Sequence, residues 1–184
     1  MSCRHIQNAA VTAVLFTLTA CETLAPQEPA SLKNSDHVVV PGERIGPVYL
    51  GMSPKNVFQL LGSPSTTKAS TLVWTYGDST LFVRADDTHQ RVVQIAIYND
   101  VSFHTAEGAR YGSTLQDLDR IWGPPYKLES YSSWPNRGGP IQAGFDQGKI
   151  VFFFEPPAGE LDTPPKNGAA VLSIQLTWED ALSF

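Results

Sequence analysis

Residues whose types and spacing could support chemistry are few in this chain. It contains two cysteines, Cys3 and Cys21, and four histidines. His37, His89 and His104 have no second histidine or carboxylate at a metal-ligand spacing such as His-Glu-x-x-His. The sequence also lacks the Gly-x-Ser-x-Gly nucleophile elbow and the phosphate-binding loop motif. We therefore predict a protein that is not an enzyme and that binds neither a metal nor a cofactor.

Two further polar segments have plainer interpretations than catalysis. Asp86 and Asp87 are adjacent carboxylates in a polar stretch, where neighbouring side chains diverge, so a hairpin turn is expected. The glycine-rich segment 136–140 lacks the preceding strand and following helix that an anion-binding loop requires. We interpret it as a flexible loop.

Cys21 is the exception, because of what precedes it. Arg4 is followed by an uncharged apolar stretch, Ala9–Leu18. That stretch is shorter than the about 20 residues of a membrane-spanning helix, but it suits the apolar region of a signal peptide. Leu18-Thr19-Ala20-Cys21 resembles the lipobox of bacterial lipoproteins.

The lipobox resemblance implies a definite modification. The thiol of Cys21 would receive a diacylglyceryl group, the chain would be cut before Cys21, and the new amine would be acylated. Glu22, where an Asp would resemble an inner-membrane retention signal, favours the outer membrane. The expectation is thus a lipid-anchored envelope protein facing the periplasm. An ordinary signal peptide that happens to contain a cysteine is the alternative.

Cleavage before Cys21 would leave 164 residues, enough for one domain with its own core. The formal net charge of −5 would become about −6, which is unfavourable for binding nucleic acid. Cys3 would leave with the signal peptide and Cys21 would be acylated, so the folded part has no free thiol. Disulfides, thiolate metal sites and cysteine nucleophiles are thereby excluded, and the fold must depend on its hydrophobic core.

The sequence divides into residues 1–20 as signal peptide, 21–44 as lipidated terminus and flexible tether, and 45–184 as a single domain. The tether is rich in proline and small polar residues, and a coil of its length reaches roughly 25–30 Å. Within it, the run His37–Val40 is expected to add an edge strand or to pack against the domain. Pro41 would end that run.

A duplicated motif organises the domain. Gly51–Pro64 aligns without a gap with Gly112–Pro125, 61 residues further on. Each copy predicts a helix of about nine residues that begins at a hydroxyl N-cap, Ser53 or Thr114, and ends at Gly-x-Pro. One face of each helix is apolar and comprises Val57, Leu60 and Leu61 in the first copy, and Leu118, Ile121 and Trp122 in the second.

Alternating segments after each helix predict strands. They are Thr71–Tyr76, Leu81–Arg84, Val92–Tyr98, Ile141–Phe145, Ile150–Phe154 and Val171–Trp178, with a further segment near Glu129–Trp134. We therefore predict an α+β fold of two tandem repeats, about 45–105 and 106–184. Each repeat is a helix followed by antiparallel strands, and the short helices pack on one face of an antiparallel sheet.

These motifs carry a resemblance over about residues 45–175. Gly-Met-Ser-x-x-x-Val-x-x-Leu-Leu-Gly-x-Pro, from Gly51, is similar to the SmpA/OmlA (BamE-like) family of outer-membrane assembly lipoproteins. The tandem arrangement is similar to the β-lactamase-inhibitor-protein fold. The second copy of the motif is a departure from the single-unit assembly lipoproteins.

Hairpin parity assigns each strand residue to a face of the sheet. The set expected to point inward is Leu72, Trp74, Leu81, Val83, Val93, Ile95, Ile97, Ile141, Ala143, Phe145, Ile150, Phe152, Phe154, Leu172, Ile174, Leu176 and Trp178. The candidate binding face on the other side carries Phe82, Arg84, Tyr98, Phe153 and Glu155. Aromatic residues beside an arginine are typical of interface hot spots. The alternative is that these aromatics are cross-strand pairs, or are covered by the loops 135–140 and 156–168.

The expected function is that of a non-catalytic protein-binding module of the cell envelope, in outer-membrane assembly or envelope integrity. Its partners would be the membrane, through the lipid on Cys21, and an envelope protein. An inhibitor or ligand-binding domain acting on a periplasmic enzyme such as a β-lactamase is the alternative. A purely structural envelope protein is a third possibility.

Overall fold

The computed structural model describes residues 29–125, 127–130, 141–145, 149–154 and 169–177. Three short helices are found among these residues: α1 (Ala30–Lys33), α2 (Pro54–Leu61) and α3 (Leu115–Trp122). The strands are β1 (Val38–Val40), β2 (Arg44–Ile45), β3 (Val48–Tyr49), β4 (Thr66–Lys68), β5 (Thr71–Tyr76), β6 (Ser79–Ala85), β7 (Val92–Tyr98), β8 (His104–Thr105), β9 (Lys127–Ser130), β10 (Ile141–Phe145), β11 (Ile150–Phe154) and β12 (Val171–Thr177). The α+β class predicted from the sequence is confirmed.

An eight-stranded antiparallel sheet dominates the domain, in the order β4-β5-β6-β7-β12-β11-β10-β9. One half consists of β4, β5, β6 and β7, which follow α2, and the other consists of β9, β10, β11 and β12, which follow α3. The short β8, between β7 and α3, belongs to a second sheet. The two halves meet where β7 pairs with β12. Two of these strands extend the sequence prediction. β4, at one edge, is the exposed segment Thr66–Lys68, which has no apolar alternation to reveal it, and β9 begins two residues earlier than expected.

The two longer helices, α2 and α3, begin and end at the residues that their sequences predict. Ser53 and Thr114 are the N-caps, and their hydroxyls accept hydrogen bonds from the backbone N–H groups of Asn56 and Asp117. Each helix ends at a glycine with positive φ, +74° at Gly62 and +78° at Gly123, and an extended ψ that favours glycine. α3 has the stronger N-terminus, because the Asp117 carboxylate also accepts from the backbone N–H of Thr114 and completes a capping box.

A second sheet, ordered β3-β2-β1-β8, contains the N-terminal part of the described chain. Its strands pair antiparallel except for β1 and β8, which are parallel. Leu32 of α1 and Val39 of β1 are fully buried in the main core. Residues 29–44 are thus part of the folded domain and not of the flexible tether that the sequence predicted, and only the packing of the His37–Val40 run was anticipated.

The inner face of the large sheet follows the predicted hairpin registers. Tyr76 pairs with Ser79, and Phe145 pairs with Ile150. The core includes nearly all the residues expected to point inward for which burial is described, together with Val57 and Leu61 of α2 and Leu118 of α3. Ile121 and Trp122 are partly buried against it. Trp122 stacks near Phe145 and Phe152, each 5.7 Å away between ring centroids.

The predictions that Val93 and Leu172 point inward were wrong, and a β-bulge explains each. A register shift between Arg84 and Ala85 places Val92 in the core, fully buried, and leaves Val93 half-exposed. A second shift between Phe153 and Phe154 buries Val171 in place of Leu172. A bulge adds one residue to one strand, which reverses the alternation on one side of it.

The capping geometry gives a matched pair of variants. We expect Thr114→Ala to lower the free energy of unfolding by about 1–2 kcal/mol, because it removes an N-cap acceptor and one side of the capping box. Ser53→Ala, at the aligned position, removes a cap without a reciprocal partner and should cost less. Urea denaturation of the two variants and the wild type measures the difference. Equal losses would show that the reciprocal bond to Asp117 contributes nothing measurable.

Candidate functional site

The described residues of the candidate binding face lie on one surface, the side of the large sheet opposite the core. Phe82 and Arg84 are on β6, Tyr98 is on β7, and Phe153 is on β11, and all four are half-buried. The sheet registers order this outer face into rows. One row runs Phe153, Ser173, Tyr98, Thr80, Thr75, and the next runs Val151, Gln175, Ala96, Phe82, Val73.

The aromatic residues concentrate around the seam between the two halves of the sheet. Phe82 and Tyr98 are diagonal neighbours on β6 and β7, and their rings meet edge to face with centroids 5.0 Å apart. Phe82 pairs directly with the small Ala96, which leaves room for its ring beside Tyr98. The cross-strand pair that the sequence analysis held as an alternative is therefore present, and it forms a half-exposed aromatic surface.

Arg84 lies at the next position along β6 on this face. Its Nε donates to Oε1 of Gln94 across the strand pair, at 2.7 Å. Gln94 is neutral, so this bond orients the guanidinium without neutralising its charge. The outer face thus combines an aromatic pair with a positioned cation, and its surrounding residues are mainly threonine and glutamine, namely Thr71, Thr75, Thr80, Gln142 and Gln175.

Ser173 occupies the seam between Phe153 and Tyr98 and is 1% exposed. Within the described residues its buried hydroxyl has no hydrogen-bond partner of good geometry. Burial raises the pKa of the Tyr98 hydroxyl, and the nearby Ser173 hydroxyl partly opposes that rise. The hydroxyl end of Tyr98 is therefore partly shielded from water, and its ring is packed beside Phe82.

Two predicted site residues lie outside the described residues. They are Glu155, the last member of the candidate face, and Cys21, the candidate lipid attachment point. The loops 135–140 and 156–168, proposed as covers for the face, also lie outside them. Val151 and Ala96, which were not singled out from the sequence, also lie on the outer face, two residues from Phe153 and Tyr98 along their strands. The pairing of β7 with β12 shows which residues of that face are side by side.

Other groups singled out in the sequence have structural partners. The Asp86 carboxylate accepts hydrogen bonds from the Gln90 N–H, at 2.8 Å, and from the Thr88 hydroxyl, which closes the predicted turn. The Gln90 bond is the main reason that the pKa of Asp86 is lowered. His37, just before β1, and His104, on β8, come together, since the backbone N–H of His104 donates to the His37 carbonyl, at 3.1 Å. The sequence did not predict this contact, and the ring of His37 packs against Phe103. In the described ranges no group of three His, Cys, Asp or Glu residues is arranged to hold a metal.

An open depression lies beside the N-terminus of α3, lined in part by Glu107, Arg110 and Arg120. Its carboxylate Asp117 is committed to the helix cap and to an exposed ion pair with Arg120, at 3.2 Å. The hydrogen bonds from Thr114 are the main cause of the lowered pKa of Asp117. Asp117 and Arg120 of this depression are thus engaged at the start of the helix.

In comparisons with known proteins, no family model, curated protein or solved structure matches the chain. No helix in the part of the chain that the structure describes is long and apolar enough to cross a membrane.

The environment of Tyr98 predicts its alkaline behaviour. Its pKa in the folded protein lies above the usual 10.0, so the stabilisation of the fold is complete below that pH and is lost as the pH rises through the folded-state value. We expect Tyr98→Phe to remove, from an absorbance titration, one phenol that titrates above the usual range and to reduce the alkaline loss of stability. If Tyr98→Phe instead removes a phenol that titrates near the usual pH 10, the Tyr98 hydroxyl is not shielded as described.

Proposed function

We propose that this protein is a lipid-anchored, non-catalytic module of the bacterial cell envelope that binds a partner protein on the outer face of its large sheet. The observation that carries the proposal is the half-buried aromatic pair of Phe82 and Tyr98, with the oriented guanidinium of Arg84 beside Phe82 on β6. Phe153 lies on the same face, two strands from Tyr98. These three aromatic residues are called the aromatic cluster below. Aromatic residues and arginine are enriched at interface hot spots, where they lose water on binding.

The rim of this face also suits protein binding. Threonine and glutamine side chains supply hydrogen-bond donors and acceptors without a charge that must be desolvated. The core elements pack on the opposite side, where the buried residues of the helices and the small sheet form one cluster with the inner face of the large sheet. The outer face therefore offers a partner a surface whose aromatic side chains are partly dehydrated before binding.

The tandem-repeat interpretation is part of this proposal. It is supported by the aligned motifs at Gly51–Pro64 and Gly112–Pro125 and by the sheet order, in which each helix precedes four strands of one half. Joining two units edge to edge doubles the width of a sheet without adding a second core layer. The resulting surface is wide enough for a protein partner, which needs about 800 Å² on each side of a stable interface.

Lipid attachment at Cys21 is the second part of the proposal, and its support is the sequence Leu18-Thr19-Ala20-Cys21 after an apolar stretch. The acyl chains would anchor the domain at the membrane, since two chains hold a protein more stably than one. Glu22 favours the outer membrane, with the domain in the periplasm.

Cys21→Ser tests the anchor directly. We expect the wild-type protein to incorporate labelled palmitate in bacteria that process lipoproteins, and the variant to incorporate none, because serine lacks the thiol that forms the thioether. Cys3→Ser, which changes the cysteine inside the predicted signal peptide, is the matched control and should be labelled normally. Labelled Cys21→Ser protein would refute the assignment.

The binding face is tested by crosslinking in intact envelopes. A photoreactive residue at Gln175, in the middle of the outer face, should give a discrete adduct that Arg84→Ala and Phe153→Ala greatly reduce. Tyr49→Ala, which truncates an exposed aromatic on the small sheet, should leave the adduct unchanged.

The same variants must remain folded for that result to count. Because the four site residues are half-buried, we expect Arg84→Ala and Phe153→Ala to lower the midpoint of thermal unfolding by only a few degrees and to leave the domain folded. If they unfold the domain, the aromatic cluster is a structural part of the sheet and the proposed binding face is wrong.

Inhibition of a periplasmic enzyme is a second candidate, favoured by the sheet order of two adjoining helix-and-strand halves, which resembles the inhibitor-type arrangement. A direct assay of β-lactamase activity with the purified protein separates the two candidates. Undiminished enzyme activity at micromolar protein would remove the inhibitor function.

A further inference from the structure

The N-terminal segment is fixed to α2, which limits how far the domain can lie from its anchor. Leu32 of α1 is fully buried, and the Ser31 hydroxyl donates to the carbonyl of Leu60 in α2. Asp36, just beyond α1, accepts two hydrogen bonds from the Arg44 guanidinium, at 2.8 and 3.0 Å. These bonds are the main reason that the pKa of Asp36 falls to about 2. The described chain therefore starts, at Pro29, beside α2.

Only seven residues separate Cys21 from Pro29. Fully extended, a chain crossing that interval spans at most about 26–29 Å, which is the upper limit of the distance between the lipid and α1. A segment of 23 residues, as expected from the sequence, would have permitted a much larger separation. An anchored domain is thus held close to the bilayer, with α1 and α2 as the elements nearest the attachment.

The outward side of α2 has the chemistry of a membrane contact. Lys55 and Phe58, three positions apart, lie on the solvent side of the helix, and Phe58 is 39% exposed with one edge against Trp74. Lys33 of α1 is also exposed. The protein as a whole is acidic, yet residues 29–35 and 44–77 contain no Asp or Glu.

α3 provides an internal comparison, because it aligns with α2 residue by residue. Gln116 stands at the position of Lys55, and Asp119 stands at the position of Phe58. Both are exposed. α2 packs against β5 through Phe58 and Trp74, whereas α3 packs against β10 and β11 through Trp122. β5 and β10 are five strands apart in the sheet, roughly 24 Å.

We propose that the outer side of α2, formed by Lys55, Phe58 and Gln59, docks onto the anionic lipid surface beside the anchor and so fixes the orientation of the domain on the membrane. The inference rests on the proposed lipid attachment at Cys21. Phenylalanine inserts into the interfacial region, and each lysine near an anionic surface strengthens binding about fivefold. The binding face of the large sheet, which lies on the side away from the helices, then points away from the membrane.

The experiment uses the full-length lipoprotein, purified from membranes and reconstituted into vesicles of phosphatidylethanolamine and phosphatidylglycerol. An environment-sensitive fluorophore is attached to a cysteine at Gln59→Cys or at the aligned position Arg120→Cys. The natural thiols do not compete, since Cys3 is removed and Cys21 is acylated. Spin-labelled lipid should quench most of the fluorescence at position 59 and little at position 120.

Charge and apolar contact are then tested separately. Lys55→Gln and Phe58→Asp, which install the residues found in α3, should each reduce quenching at position 59. Gln116→Glu, which changes the charge by the same amount as Lys55→Gln, should have no effect. Vesicles of phosphatidylcholine alone, or high salt, should also reduce the quenching at position 59. Lys55→Gln keeps the test valid if Phe58→Asp destabilises the helix.

Co-flotation with the vesicles separates failure of this inference from failure of the anchor. Protein that floats but shows no quenching at position 59, or equal quenching at both positions, overturns the docking of α2 and leaves the lipid attachment intact. Purified protein that does not carry lipid and does not float overturns both. Quenching at position 59 that persists with phosphatidylcholine alone would show that anionic lipid is not recognised.

Discussion

The pairing of β7 with β12 joins the two halves of the large sheet and determines both of its faces. On the inner side it places Ile95 opposite Leu176 and Ile97 opposite Ile174, all of them buried. On the outer side the same register places Tyr98 opposite Ser173. Because side chains alternate along a strand, a slip of one residue would carry the isoleucines into water and the tyrosine into the core. Burial of the inner residues therefore also fixes the arrangement of the outer aromatic cluster.

The two aligned helices, α2 and α3, match at the positions that the fold requires and differ at the positions exposed to solvent. Their caps, their terminal glycines and their inward apolar positions match, because both helices must begin, end and pack in the same way. Their outward positions differ, with Lys55 and Phe58 in α2 against Gln116 and Asp119 in α3. Packing restricts these exposed positions less than the inward ones, although Phe58 also has one edge against Trp74.

The two proposed surfaces are compatible because they use opposite sides of one layered domain. The helices lie on the core side of the sheet, where α2 is also next to the start of the described chain. The aromatic cluster of Phe82, Tyr98 and Phe153 lies on the other side. A domain held by α2 would present that cluster toward the periplasm. With only seven residues between Cys21 and Pro29, the main consequence of the proposed anchor would be the orientation of the domain and not its reach.

The sequence by itself determined the features that depend on neighbours along the chain. These are the caps at Ser53 and Thr114, the helix ends at Gly62 and Gly123, and the hairpin registers, since turns and caps act over a few residues. The outer positions of Phe82, Arg84, Tyr98 and Phe153 followed from the same local parity. Only the tertiary structure decided which of Val92 or Val93, and of Val171 or Leu172, is buried, because a bulge depends on the partner strand. It also decided the packing of α1 against α2 and the joining of β7 to β12, since these contacts join residues far apart in the chain that no local pattern brings together.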